Sequence, residues 1–367
     1  MKIIACEGSP QRLGEQTGEA LREEIREHIS LRPMRDWPEW ERRAPLFLDT
    51  LKTHLPHVLE EMLATARAAD VPEREILRLN LPLYPHRLTA LSGVAPSAAA
   101  TDEAPAAAAS EPGEGCTNFV FTGGADGPVW GKNNDGSPPP LPVCARVVRP
   151  DRGIPQVTFT FCGMVATTDG MNAEGVAVGH SSVGSVFQQS DRHLPIRLWA
   201  YDVMMNSGTT EDFLRLTASV PLRGKGYSIV CVDRGGTACS LEAPCPVLQV
   251  RTPRFSTGIH CVNCYQLPEL GDADRRNAEG KRDAQRRWEF LDAVLSESVL
   301  SEKEGFSLAS AQSLLRYHHS PDRPGICRHG ESGGMHTEYT MIGLPAHSVV
   351  LFLEGRPCQR EFTELTL

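Results

Sequence analysis

No uninterrupted apolar run in this 367-residue chain is long enough to cross a bilayer, so no membrane-spanning helix is expected. The opening Met1–Gly8 lacks an apolar stretch of signal length, and the expected compartment is the cytoplasm. Positive charge is in short supply. Against 46 Asp and Glu stand 37 Lys and Arg, and the formal charge of −9 disfavours nucleic acid or an anionic membrane as partner. There is no internal repeat. No Gly-rich segment forms a phosphate-binding fingerprint, and Gly123-Gly124 and Gly333-Gly334 read as turns. Cys261-Val262-Asn263-Cys264, with His260 beside it, has the spacing of a zinc pair. It lacks a second Cys-x-x-Cys and falls in an expected strand, so no metal is expected there or elsewhere. A redox pair would sit near a helix start instead. His318, His319 and His329 read as loop histidines, Trp37 and Trp40 as core or pocket-wall aromatics, and the charged run from Glu269 to Arg287 as a solvated helix face.

Cysteine is not scarce. The 11 cysteines are odd in number and scattered, which reads as reduced thiols that mostly pack in the core. One of them has an unusual position. The single low-complexity segment, Ala95 to Glu114, is rich in Ala and Pro and is expected to be a flexible linker over about 92–114. It ends at Gly115-Cys116, and the strand-like Thr117-Asn118-Phe119-Val120-Phe121 follows at once.

Before the linker the pattern is mostly helical: a short strand over 2–6, a helix from Ser9 to about Ile29, a second helical region over 39–69 that Pro45 and Pro56 should kink or divide, and a short helix ending at Leu79. After it, a hairpin is expected over 116–122 and 128–133. Strands follow near 143–149, 155–162, 164–168 and 175–180, then helices near 195–206 and 210–218. A second strand series spans 227–233, 237–243, 247–251 and 257–263, followed by helices over 274–298 and 308–316 and a final hairpin over 337–342 and 348–353. This is an α+β chain in layers.

A cysteine exposed as a new N-terminus would supply two catalytic groups on one residue. Its thiol, with an ordinary pKa of about 8.5, is the nucleophile, and its α-amine, near 7.7–8.0, can serve as base. Before cleavage the same thiol can attack the Gly115 carbonyl. Glycine leaves that carbonyl uncrowded.

Downstream residues add a family resemblance along the whole chain. Gly8-Ser9-Pro10, Leu13-Gly14 and Gly18 are followed by Asp70-Val71-Pro72 and Leu79-Asn80. Then come Glu114-Gly115-Cys116-Thr117, Gly131-Lys132-Asn133-Asn134-Asp135, Gly170-Met171-Asn172-Ala173-Glu174-Gly175-Val176-Ala177-Val178 and Gly325-Ile326-Cys327-Arg328. This colinear set resembles the autoproteolytic family of acyl-coenzyme A:6-aminopenicillanate acyltransferase, within the N-terminal nucleophile (Ntn) hydrolases. The resemblance implies a four-layer αββα sandwich and maturation into fragments 1–115 and 116–367 that stay associated. It implies cleavage or transfer of an acyl group at a small-molecule amide or thioester through a Cys116 thioester. No cofactor is implied, although acyl-coenzyme A is a candidate substrate.

The resemblance also implies roles. Cys116 would be the nucleophile in self-cleavage and turnover, Asp135 would orient groups there, Asn263 would donate to the oxyanion, and Arg328 would pair with a nearby carboxylate such as Asp135. Thr117, Ser228 and His180 are candidate pocket residues. The family's His-Thr-Asn-His is Cys261-Val262-Asn263-Cys264 here, so the surroundings of Asn263 differ. Two other readings stay open: an unprocessed, non-catalytic relative that binds a small molecule or partner, and a papain-like hydrolase with an internal nucleophile and a histidine base.

Overall fold

The computed structural model describes residues 1–84, 115–296, 306–318, 325–330 and 334–367. The expected linker, His319 and Gly333 lie outside them. Two sheets organise the chain. The larger has eight strands in the order β1 (Lys2–Gly8), β4 (Val143–Pro150), β5 (Gln156–Phe161), β6 (Gly170–Asn172), β7 (Ala177–Ser182), β10 (Tyr227–Val232), β11 (Ala238–Ala243) and β12 (Gln249–Arg251). The smaller has six: β13 (Gly258–Val262), β2 (Thr117–Phe121), β3 (Val129–Gly136), β14 (His336–Leu344), β15 (Val349–Glu354) and β16 (Thr363–Thr366). A separate pair joins β8 (Leu194–Pro195) to β9 (Leu222–Arg223).

Alternation along the strands builds the layers, because successive side chains leave opposite faces of a sheet. In β4, Val143, Ala145 and Val147 face the smaller sheet, while Cys144 and Val148 face helices. The space between the sheets is filled by residues such as Trp130, Phe159, Val230, Met341 and Phe352. The outer face of the larger sheet is covered by α1 (Pro10–Ala20), α2 (Arg22–Leu31), α3 (Trp37–His54), α4 (Pro56–Ala69), α5 (Glu73–Asn80), α6 (Ile196–Met205) and α7 (Thr210–Thr217). The outer face of the smaller sheet is covered by α8 (Ala278–Leu295) and α9 (Leu308–Leu315). The protein is a four-layer αββα sandwich.

Helix α1 lies close on α4. A Cβ at Gly14 would stand 2.2 Å from the Glu61 carbonyl, and one at Gly18 would stand 2.4 Å from that of Thr65, so only glycine permits this approach. The Arg146 guanidinium on β4 pairs with Glu61 of α4, whose carboxylate also accepts from the Tyr201 hydroxyl of α6 at 3.1 Å.

The expected elements recur with a few differences. The first helix breaks at Leu21, a cap between α1 and α2. Pro56 divides the second helical region by opening α4, whereas Pro45 lies inside α3. The expected strand at 164–168 does not form. Val165 instead donates its backbone N–H to the Asn80 side chain at 2.8 Å, which leads the chain out of β5 beneath α5. Among the described residues no helix is long and apolar enough to cross a membrane.

Candidate active site

The β2–β3 hairpin brings the first site residues together. Its antiparallel register sets Thr117 opposite Asn133, which places Cys116 beside Asn134 and Asp135. The buried Cys116 thiol lies 3.6 Å from Asn134 Oδ1 and 3.7 Å from the Asp135 carbonyl oxygen. On the other side of β3, the pairing with β14 shifts register between Thr337 and Tyr339. That irregularity removes Glu338 from the ladder, and its carboxylate accepts from Asn134 Nδ2 at 3.0 Å. Thr337, opposite Asp135, donates its hydroxyl to Asp135 Oδ1 at 2.8 Å.

Gly115 packs directly against the charged groups. A Cβ there would be 2.6 Å from Arg328 Nε and 2.9 Å from Asp135 Oδ2. The same Arg328 Nε lies 3.3 Å from Asp135 Oδ2, and Arg328 Nη2 donates to both oxygens of Asp283 at 2.8 and 2.7 Å. Burial raises the Asp135 carboxyl to about 6, against the opposing pull of Arg328 and the Thr337 hydroxyl. Burial would raise Asp283 too, but Arg287 and Arg328 outweigh it and hold that carboxyl near 2.

Helix α8 reaches the site through Arg287, which is fully buried. Its Nη1 donates to the Cys116 carbonyl at 2.8 Å and to Thr117 Oγ1 at 3.3 Å, its Nη2 to Asn263 Oδ1 at 3.0 Å, and its Nε to Asp283 at 3.0 Å. The charged run from Glu269 to Arg287 is therefore not simply a solvated face. Arg287 shares the inward stripe of α8 with Ala284, Leu291 and Val294, and this i, i+3, i+7 spacing was the signal available in the sequence.

The remaining candidates divide. Asn263 is buried just past β13. Its amide donates to the Ser182 carbonyl at 2.7 Å and it connects to Cys116 through Arg287, so one of its two amide hydrogens is already held. His180 lines the cavity onto which Cys116 opens. Its Nδ1 lies 2.8 Å from Asp169 Oδ1, and Asp169 also meets Lys132 Nζ at 3.0 Å and accepts from the Tyr339 hydroxyl at 2.9 Å. Burial lowers His180 to about 4 despite Asp169, so the imidazole is neutral at pH 7. Ser228 pairs with Ser181 of β7, whose hydroxyl donates to the Cys116 carbonyl at 3.3 Å. It is buried in β10, and its hydroxyl makes no hydrogen bond among the described residues.

The Cys261–Cys264 pair does not converge. Cys261 packs between the sheets and donates to the Ser228 carbonyl at 3.3 Å, whereas Cys264 packs on the α8 side and accepts from Gln266 at 2.8 Å. His260 faces Trp288 and Asp292 of α8. Alternation along β13 thus separates residues that the spacing placed together.

The cavity in front of Cys116 holds ≈ 400 Å³ and is walled by Asn134, Asp135, His180, Ser182 and Glu338. Arg32, Arg197 and Lys225 add positive charge to it, and Tyr84 and Tyr227 add aromatic surface. One wall of this cavity carries a thiol and a carboxyl of raised pKa.

No family model matches the chain, and no curated protein matches it. Solved structures do. A conjugated bile acid hydrolase mutant from Clostridium perfringens is similar at 11% identity with a TM-score of 0.48, over 69% of this chain and 92% of that one. Penicillin V acylase from Agrobacterium tumefaciens is similar at 15% identity and 0.41, over 65% and 83%. The Caenorhabditis elegans ortholog of N-acylethanolamine-hydrolyzing acid amidase is similar at 12% and 0.42, over 63% and 93%. At these scores the likeness assigns neither residue roles nor an activity.

Proposed function

We propose that this chain cuts its own Gly115–Cys116 bond and then hydrolyses or transfers an acyl group at a small-molecule amide or thioester, with Cys116 as N-terminal nucleophile. The observation that carries this reading is the packing of Gly115 against Arg328 and Asp135, with the Cys116 thiol at the cavity wall. In the first reaction, Cys116 Sγ attacks the Gly115 carbonyl carbon and the C–N bond breaks. The acyl chain passes to sulfur, and the nitrogen leaves as the new α-amine of Cys116. Asp135, held near 6, accepts the thiol proton and returns one to the leaving nitrogen. Water then opens the thioester, which frees the Gly115 carboxylate and the thiol.

In turnover the α-amine takes the thiol proton and the thiolate attacks the substrate carbonyl. The amine or thiol leaving group departs protonated, and water or an amine resolves the Cys116 thioester. Water as acceptor makes the enzyme an amidohydrolase, and an amine makes it an N-acyltransferase. Three cations on the cavity wall, against Asp135 and Glu338, favour a substrate with an anionic end, which a coenzyme A thioester carries.

A second reading rests on a specific contact. His180 is neutral, its Nδ1 is held by Asp169, and it lines the same cavity as Cys116. In that reading Cys116 stays internal and His180 is its base.

One experiment separates the two: intact mass of the purified protein beside Cys116→Ala and His180→Ala. Two fragments beginning at Met1 and Cys116 are expected in the parent and in His180→Ala, with Cys116→Ala uncut. A full-length parent chain whose amidase activity is abolished by His180→Ala would sink the self-processing reading and establish the second.

A further inference from the structure

Four metal-ligating side chains from three parts of the chain converge about the Arg328 segment. His318 follows α9, Cys327 and His329 flank Arg328, and Cys358 lies in the turn after β15. Their ligand atoms all lie within 4.8 Å of one another. His318 Nε2 and His329 Nε2 are 3.2 Å apart, and Cys327 Sγ and Cys358 Sγ are 3.6 Å apart. His329 Nε2 is 3.7 Å from Cys327 Sγ and 3.3 Å from Cys358 Sγ.

These are four of the six separations among the ligand atoms, and the two from His318 to the sulfurs are within 4.8 Å. Zinc–sulfur bonds of about 2.3 Å and zinc–nitrogen bonds of about 2.05 Å at tetrahedral angles require edges of about 3.8 Å for S–S, about 3.4 Å for N–N and about 3.6 Å for S–N. The four measured edges fall within a few tenths of an ångström of these values. The sulfurs are too far apart for a disulfide, whose S–S bond is about 2.05 Å.

We propose that His318, Cys327, His329 and Cys358 bind one Zn²⁺. Two thiolates and two imidazoles in a tetrahedron select zinc over oxygen-seeking cations such as Mg²⁺ or Ca²⁺. Four protein ligands close the coordination shell, so the ion is structural. A cleft of ≈ 520 Å³ that includes His318, Cys327 and His329 gives it an access route.

The placement gives the ion a task. Arg328 donates its backbone N–H to Thr337 Oγ1 at 3.0 Å and accepts from the Thr337 N–H at 3.1 Å, and His329 bridges His336, so the segment runs as a short strand beside β14. Alternate side chains on such a segment point to opposite sides. Cys327 and His329 turn toward the ion, while Arg328 turns toward Asp283, Asp135 and Gly115. Zinc therefore anchors the segment from behind, tying it to the end of α9 and to the turn after β15. The spacing His-x8-Cys-x-His-x28-Cys forms no pair of short ligand motifs, so no metal is expected here from spacing alone.

The test uses the full-length Cys116→Ala chain, so that its outcome does not depend on self-processing. Reduced protein is loaded with zinc, freed of excess and assayed for bound metal, with Co²⁺ as a spectroscopic substitute. About one equivalent of zinc per chain is expected, with thiolate charge-transfer and tetrahedral ligand-field bands in the cobalt form. His318→Ala replaces an exposed side chain and should fold normally while retaining at least about ten-fold less zinc. Cys358→Ser should do the same, whereas Cys261→Ser with Cys264→Ser should keep the ion. Less than about a tenth of an equivalent in the parent, or zinc retention unchanged by both His318→Ala and Cys358→Ser, overturns the site.

Discussion

At Gly115 a single methyl group would disturb the proposed cleavage site. The Cβ of an alanine would stand 2.6 Å from Arg328 Nε and 2.9 Å from Asp135 Oδ2, inside van der Waals contact with both. One or both charged groups must move, and a displacement of about 1 Å at a reacting centre costs on the order of a hundred-fold in rate. Gly115→Ala should therefore fold and accumulate as uncut chain, measured by the half-time of fragment appearance after release from a denatured precursor. Processing at the parent rate would remove the packing argument. Cys116, Asp135 and Arg328 were singled out through the family resemblance, and the structure sets Asp135 and Arg328 against Gly115, the residue before Cys116. Glu338 and Asn134 were not singled out, because their contact depends on a register shift between two strands distant in sequence.

Helix α8 carries a lesson about periodicity. Its charged residues suggested a solvent face, yet Arg287 occupies the inward stripe and donates to Cys116, Thr117, Asn263 and Asp283. Arg287→Met would take the guanidinium donor from each of these acceptors and leave Asp283 to Arg328 alone, and breaking a buried ionic network in this way costs about 3–5 kcal/mol. Urea denaturation of the uncut Cys116→Ala chain should show that loss. Arg287→Lys, which keeps the charge but not the planar fork, should recover only part of it. A loss under about 1 kcal/mol in Arg287→Met would make the network marginal. Helices α6 and α7 and most strands fall where they were expected. The strand expected at 164–168 does not form because a turn closes from the Met164 N–H to the Phe161 carbonyl, and Asn80 and Arg146, distant in sequence, take the Val165 N–H and carbonyl.

Acid should destabilise the whole molecule. Burial holds His28 and His180 each near 4, below their ordinary 6.5. As pH falls from 6.5 toward 4, the unfolded chain takes up protons that the folded protein cannot, and stability is lost. Asp135 acts in the opposite direction. Its carboxyl, held near 6, binds a proton in the folded protein before it would in the unfolded one, so it adds stability as pH falls through 6. Two groups outweigh one, and the net loss between pH 7 and pH 4 is on the order of 2–4 kcal/mol. Urea midpoints of the Cys116→Ala chain across that range should fall, and Asp135→Asn should steepen the decline. A flat or rising profile would contradict the buried neutral histidines. The four-layer plan was legible through the family resemblance, but the extent of N-terminal packing was not, since it depends on Gly14 and Gly18 meeting the α4 backbone.

Strand β1 lies parallel to β4, with Lys2 beside Cys144 and Gly8 beside Pro150, so a segment before Gly115 supplies the edge of a sheet otherwise built after it. Under the self-cleavage proposed above, that pairing would hold two molecules together. Unfolding of the cut protein would then release a free partner, the native population would depend on concentration, and dilution alone would denature it where it leaves the uncut chain untouched.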